Sequence, residues 1–253
     1  MILSSRPRTI VTTLGIVGVA GAFLLLPTLS FIGTMLAPSQ PTPSVTHVSP
    51  VLGKALWAVA LGGQATELQP LNPFTIGRMV ACHALAERFD TRAERDSQHD
   101  ECMKLMPAVE AVGYLSSVHM RSEGVWQDPR VPFVQIAMMT RLSGTWTRAE
   151  LLDTLAERGE FGPTFQGADA ASRGYFDRSA NELTLPQAAM LAGIMGNRRI
   201  DPWCDPAATA DRRRRALERM RNNGDIDDAE FEAASRSELG LSDPPSGHPT
   251  CKG

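Results

Sequence analysis

The sequence predicts a mainly α-helical domain behind a single N-terminal transmembrane helix, and three observations predict it. An uncharged apolar run lies near the N-terminus. Further on, apolar residues recur at helical spacing behind N-cap signatures, and alternating strand patterns are nearly absent. After the apolar run about 200 residues remain, enough for one core.

Residues 1–8 read as a cytoplasmic N-terminus. From Thr9 to Leu36 there is no charged residue, and this run outlasts the roughly 20 apolar residues that cross a hydrocarbon core of about 30 Å. Arg6 and Arg8 precede it and the next cation is Lys54. The positive-inside bias therefore places the chain after Ala37 on the outer side of the membrane. The rival reading, a cleaved signal peptide, calls for a shorter apolar region of about 7–15 residues. Residues 37–50 are rich in Pro, Ser and Thr, a composition that reads as a semi-extended tether. Val51 to Leu61, VLGKALWAVAL, is too short to span a bilayer. It is either an apolar segment lying at the membrane surface or the first core helix.

Helical stripes are expected over Phe74 to Asp90, Met103 to Met120 and Val131 to Leu142, with Pro107, Pro129 and Pro132 marking starts or breaks. Thr147 followed by Glu150 reads as a capping box opening a helix through Ala156, and Thr184 followed by Gln187 opens another over Leu185 to Ile194. Gly159, Gly162 and Gly167 mark a turn region between them. The main domain is assigned to residues 51–242 and a tail to 243–253.

All four cysteines, Cys82, Cys102, Cys204 and Cys251, lie beyond the expected anchor, in a compartment where disulfides persist. Two bridges are possible in three connectivities; pairing of sequence neighbours favours Cys82–Cys102 and Cys204–Cys251, the second pinning the tail, and buried free thiols are the alternative. There is no Cys-x-x-Cys, and no metal site is expected. A net charge of −3 makes nucleic acid an unsuitable partner.

Four segments in register carry a family resemblance. Thr147 to Gly162 (TRAELLDTLAERGEFG), Gly167 to Ser179 (GADAASRGYFDRS), Glu182 to Ile194 (ELTLPQAAMLAGI) and Arg212 to Ala234 (RRRRALERMRNNGDIDDAEFEAA) resemble, in order and at nearly matching spacing, the closing half of glycosyltransferase family 51. This is the peptidoglycan transglycosylase domain of penicillin-binding proteins and monofunctional transglycosylases. The resemblance implies a lysozyme-like helical domain at the outer face of the bacterial inner membrane. It also implies lipid-linked disaccharide-peptide precursor or glycan strand as partner, other cell-wall or envelope proteins as further partners, and Mg²⁺ or Mn²⁺ as cofactor in an active member.

In the family, one glutamate takes a proton from the acceptor sugar, while a second, with basic residues, manages the diphosphate leaving group. Neither glutamate motif is recognisable here. Gly113 to Arg121, GYLSSVHMR, is at best a worn relic of the Gly-Gly-Ser-Thr motif, and the second glutamate's position falls at or beside Gln135, a residue that cannot act as a base. Arg148 stands for the family's lysine, and Glu157 occupies its asparagine position. Arg213, within the run Arg212 to Arg215, is a candidate diphosphate contact, with ion pairs inside its own helix as the alternative. Glu87, four residues after His83, is the candidate replacement base, and a plain surface pair is the bland reading. Three functions follow: a divergent transglycosylase, an inactive relative that binds precursor or glycan, and an adaptor in an envelope complex.

Overall fold

The computed structural model describes residues 39–72, 107–127 and 131–248, with Met35, Thr75, Arg78, Ala81, Cys82, Glu94, Cys102 and Cys251. The expected span 9–36 lies outside the described residues apart from Met35, as do most of the helix expected over Phe74 to Asp90 and both His83 and Glu87. No helix among the described residues is long and apolar enough to cross a membrane.

Eight α-helices are described: α1 (Pro50–Val59), α2 (Val109–Ser122), α3 (Val131–Thr145), α4 (Arg148–Arg158), α5 (Ala168–Phe176), α6 (Leu185–Ile194), α7 (Pro206–Asn223) and α8 (Asp228–Arg236). Between α4 and α5 a short antiparallel hairpin pairs β1 (Glu160–Phe161) with β2 (Phe165–Gln166). The architecture is mainly helical, as the periodicity predicts.

The centre of the core is α6, in which every residue from Gln187 to Ile194 is buried. Its sequence, LPQAAMLAGI, is apolar nearly all round, so no face is suited to water and the helix is enclosed. It packs chiefly against α7 and α1. Small residues let the axes come close: a Cβ on Gly193 would lie 2.8 Å from the Arg212 carbonyl oxygen of α7. The buried Gln187 is satisfied at both ends of its amide. Its Oε1 accepts from the Thr184 N–H at 3.1 Å and its Nε2 donates to the Leu239 carbonyl at 3.0 Å.

The second expected cap is equally local. Thr147 Oγ1 accepts from the Glu150 N–H at 3.2 Å, and Glu150 Oε2 accepts from the Thr147 N–H at 2.7 Å, fixing the start of α4. Both disulfides, Cys82–Cys102 and Cys204–Cys251, are formed in the expected pairing.

Of the two readings of the apolar run after Val51, the core helix is the one realised, with Leu52, Ala55, Leu56, Trp57 and Ala58 buried. Other expectations are corrected. The helix expected from Met103 starts at Val109, because Pro107 and Ala108 form a turn in which Ala108 takes φ +62°. It runs on to Ser122, and α3 likewise continues to Thr145 rather than ending at Leu142. The Pro/Ser/Thr-rich segment is no free tether over residues 39–49. It lies as a strap on the domain: the Ser44 N–H donates to Thr154 Oγ1 at 3.0 Å, Arg158 donates to the Thr42 carbonyl at 3.1 Å, and the His119 ring meets the Ser39 carbonyl at 2.7 Å. Composition alone favours an extended chain, and these long-range polar partners give it a surface to lie on.

Candidate functional site

Helix α4 turns Leu151, Leu152 and Leu155 into the core, which leaves Asp153 and Thr154 facing the strap. Asp153 is only 6% exposed, and its carboxylate is shared between two strap groups. Oδ1 accepts from the Val48 N–H at 2.9 Å, and Oδ2 lies 2.8 Å from His47 Nδ1. The His47 side chain is 88% exposed. With Nδ1 held by the carboxylate, the ring's orientation is fixed while its Nε2 edge faces outward.

His47, Val48 and Asp153 form a ridge between two clefts, each of which they line. The first, about 340 Å³, is also bordered by Glu157, Gly167, Asp169 and Asn181. Gly167 is required there: its φ is +86°, and a Cβ would stand 2.9 Å from the Glu157 carbonyl. Asp169 is already engaged, since Oδ2 accepts from Arg173 Nε at 2.9 Å and Oδ1 from the Ala180 N–H at 3.1 Å. These bonds, with Arg173 first, hold its carboxyl below the usual carboxylate range.

The second cleft, about 490 Å³, is bordered by Lys54, Glu67, Thr147 and Arg148. The Arg148 guanidinium lies 4.3 Å over the Trp57 ring and donates to the Ala65 carbonyl at 3.3 Å. Burial lowers its pKa, and the carboxylates of Asp225 and Glu67 partly offset that. Lys54 Nζ reaches the Asp225 carbonyl at 3.3 Å. One cleft is thus rich in carboxylate and amide groups, the other carries the cations Lys54 and Arg148 beside Glu67 and the shared Asp153, and His47 lies between them. An anionic group suits the second cleft, and a hydroxyl that must lose a proton suits the ridge.

The other expected site residues are dispersed. Glu157 lines the first cleft and Arg148 the second, so the structure brings these two to opposite sides of one ridge. Gln135, half-buried on α3, instead donates from Nε2 to Ser117 Oγ at 3.0 Å. Gln135 thereby ties α3 to the segment Gly113 to Arg121 on α2. Nearby, the Tyr114 hydroxyl accepts from the Glu160 N–H at 2.8 Å, and the Glu160 carboxylate lies between Arg121 and Arg198 at 3.8 and 3.6 Å. Burial raises the Tyr114 pKa.

Arg213 is committed to the fold, donating to the Ser237 and Ser235 carbonyls at 2.8 and 3.0 Å and so tying down the end of α8. Arg214 and Arg215 pair with Asp211, and Arg214 also with Glu218. For Arg214 and Arg215 the internal-pair reading is realised, because acidic partners stand three and four residues away on the same helix, whereas Arg213 follows neither reading. Glu87 lies outside the described residues. Among the described residues, Gln135 contributes a neutral amide and both Asp169 oxygens already accept hydrogen bonds, so neither of these two suits the implied divalent cation.

Sequence reading passed over His47, Asp153 and Lys54. The only local hint of the first was an isolated histidine in a Pro/Ser/Thr-rich stretch, and its partner stands 106 positions away.

Known proteins match the same part of the chain. The transglycosylase family model matches residues 125–221. A biosynthetic peptidoglycan transglycosylase of Vibrio parahaemolyticus is 38% identical over 82 residues, covering 32% of this chain and 36% of the relative. A penicillin-binding protein 1A of Mycolicibacterium smegmatis is 30% identical over 100 residues, covering 39% of this chain and 13% of the relative. A third relative, the biosynthetic peptidoglycan transglycosylase of Shewanella oneidensis, is 41% identical over 58 residues, 23% of each chain. The chain spans well under half the length of each. The matched stretch includes α3 to α6, hence Arg148, Asp153 and Glu157, so the similarity to the transglycosylase family falls on the helices that border both clefts.

Proposed function

We propose that the protein is a membrane-anchored, periplasmic, peptidoglycan glycosyltransferase-like protein with a lysozyme-like domain, and that its paired clefts take lipid-linked disaccharide-peptide precursor or nascent glycan. The observation that carries the reading is the family-matched helix α4, which supplies Arg148 to one cleft, Glu157 to the other and Asp153 to the ridge between. In an active protein the diphosphate sits beside Arg148 and Lys54. His47 Nε2 takes the proton of the acceptor hydroxyl as that oxygen bonds to the anomeric carbon, and the electron pair of the broken C–O bond leaves with the diphosphate. Asp153 holds the imidazole in place through Nδ1.

A second reading, binding without transfer, is favoured by Gln135, which offers no charge at the position of the family's second glutamate. The test incubates the detergent-purified full chain with lipid-linked precursor, with and without Mg²⁺, reading polymer and precursor binding in parallel. Polymer that disappears in His47→Gln or Glu87→Gln, with binding retained, identifies an enzyme and locates its base. Binding without polymer, weakened in Arg148→Ala, identifies a binding protein. Absence of both leaves an envelope adaptor.

A further inference from the structure

The tail brings together a set of donors that the expectation of no metal site did not take into account. Asp201-Pro-Trp-Cys204 and His248-Pro-Thr-Cys251 repeat one spacing, a ligand followed by two residues and then cysteine. This is the knuckle spacing of structural zinc sites, with Asp and His in place of two of the cysteines. A search for Cys-x-x-Cys misses it.

In the fold the two pairs meet. Ligand atoms of Asp201, Cys204 and His248 all lie within 4.8 Å of one another, and Cys251 is bonded to Cys204. His248 Nε2 stands 2.9 Å from Asp201 Oδ2, with the two side chains 6% and 16% exposed. Both are held from behind. The Trp203 ring packs edge-on against the imidazole at 4.7 Å, and Asp201 Oδ1 accepts from the Trp203 N–H at 3.1 Å, leaving Oδ2 directed at the histidine. The Cys204 N–H donates to the Asp201 carbonyl at 3.0 Å, a turn that fixes the spacing of the first pair. Supporting contacts of this kind orient metal ligands. Cys204 is half-buried and Cys251 exposed, so the bridge is open to a reductant.

We propose that Asp201, Cys204, His248 and Cys251 form a redox-gated site for a thiophilic divalent cation, Zn²⁺, in which metal and disulfide are alternative latches for the same tail. A dithiol reductant delivers two electrons and two protons to the bridge, giving two thiols and the oxidised dithiol. Zn²⁺ then binds both sulfurs as thiolates, releasing the two protons to solvent, with imidazole and carboxylate completing four donors. In the reverse step a disulfide oxidant takes two electrons from the thiolates and two protons from solvent, leaving as its dithiol, while the bridge re-forms and Zn²⁺ is released. The site is separate from the clefts and does not depend on the function proposed for them.

The test titrates the full chain with Co²⁺ and then Zn²⁺, before and after reduction. The reduced protein is expected to take one Co²⁺, with thiolate-to-cobalt charge transfer and the visible bands of a tetrahedral ion, all abolished by Zn²⁺; the oxidised protein gives neither. Cys204→Ser with Cys251→Ser, which leaves Cys82 and Cys102 as reducible thiols, is expected to lose the signal. Retention there overturns the proposal. His248→Ala keeps the disulfide, so its fold can be verified oxidised, and after reduction its Co²⁺ affinity is expected to fall by about tenfold or more. Unchanged affinity in His248→Ala, or no Co²⁺ signal in the reduced wild type, overturns it as well.

Discussion

Asp153 ties the strap to α4 through two acceptor oxygens, one for a backbone N–H and one for an imidazole. Asp153→Ala removes both bonds and leaves the Val48 N–H without its partner, so a loss of roughly 1–3 kcal/mol is expected in denaturant unfolding. Asp153→Asn keeps an acceptor and is expected to lose less. A second prediction concerns Asp169, whose carboxyl is held low by Arg173 and by the Ala180 N–H. A group with a depressed folded pKa stabilises the fold at pH above its unfolded value of about 3.9, and that contribution is lost as pH falls through the folded pKa. Asp169→Asn is therefore expected to be less stable than wild type near neutrality. The gap should close as the pH falls below about 4, as read from melting temperatures across that range. The effect is small, since both partners are more than half exposed.

At the scale of elements, the closest helix contact is the one that the small residues of α6 permit. Gly193→Ala would drive a Cβ to within 2.8 Å of an α7 carbonyl, an atom that cannot rotate away. The two helices must part, and a loss of about 1–3 kcal/mol is expected in thermal or denaturant unfolding. Gly144 in α3 is the control: nothing lies within 4 Å of its Cβ position. Gly144→Ala should be neutral or gain up to about 1 kcal/mol by helix propensity. These helices were legible because their signals are local. Thr184 and Gln187, or Thr147 and Glu150, close their bonds within one turn, so residue types three apart suffice. The start of α2 was not legible, because Ala108 in a left-handed conformation is set by its surroundings and not by its side chain.

For the whole molecule, the Cys204–Cys251 bridge decides whether the last segment belongs to the domain. The Trp203 indole N–H donates to the Ser242 carbonyl at 2.7 Å, and the Ser242 N–H to the Tyr175 carbonyl at 2.8 Å, so the tail runs back across α5 before reaching the bridge. With the cysteines 47 residues apart, opening the loop is expected to cost about 4 kcal/mol in the chain-entropy model. Comparing unfolding of the oxidised protein with that of Cys204→Ser/Cys251→Ser under non-reducing conditions measures this cost.

The sequence by itself determined the helical class, the caps and the resemblance carried by the closing half of the chain, since each rests on spacing along the chain, and it favoured the pairing of neighbouring cysteines that the fold realises. Only the tertiary structure decided that the strap docks on α4, that His47 meets Asp153, that Arg148 stacks on Trp57, and that Asp201 and His248 converge beside the bridge. Those contacts join residues tens to more than a hundred positions apart. Which of them form depends on how enclosing α6 against α1 and α7 returns the chain to itself, a consequence of packing the whole core that no local pattern records.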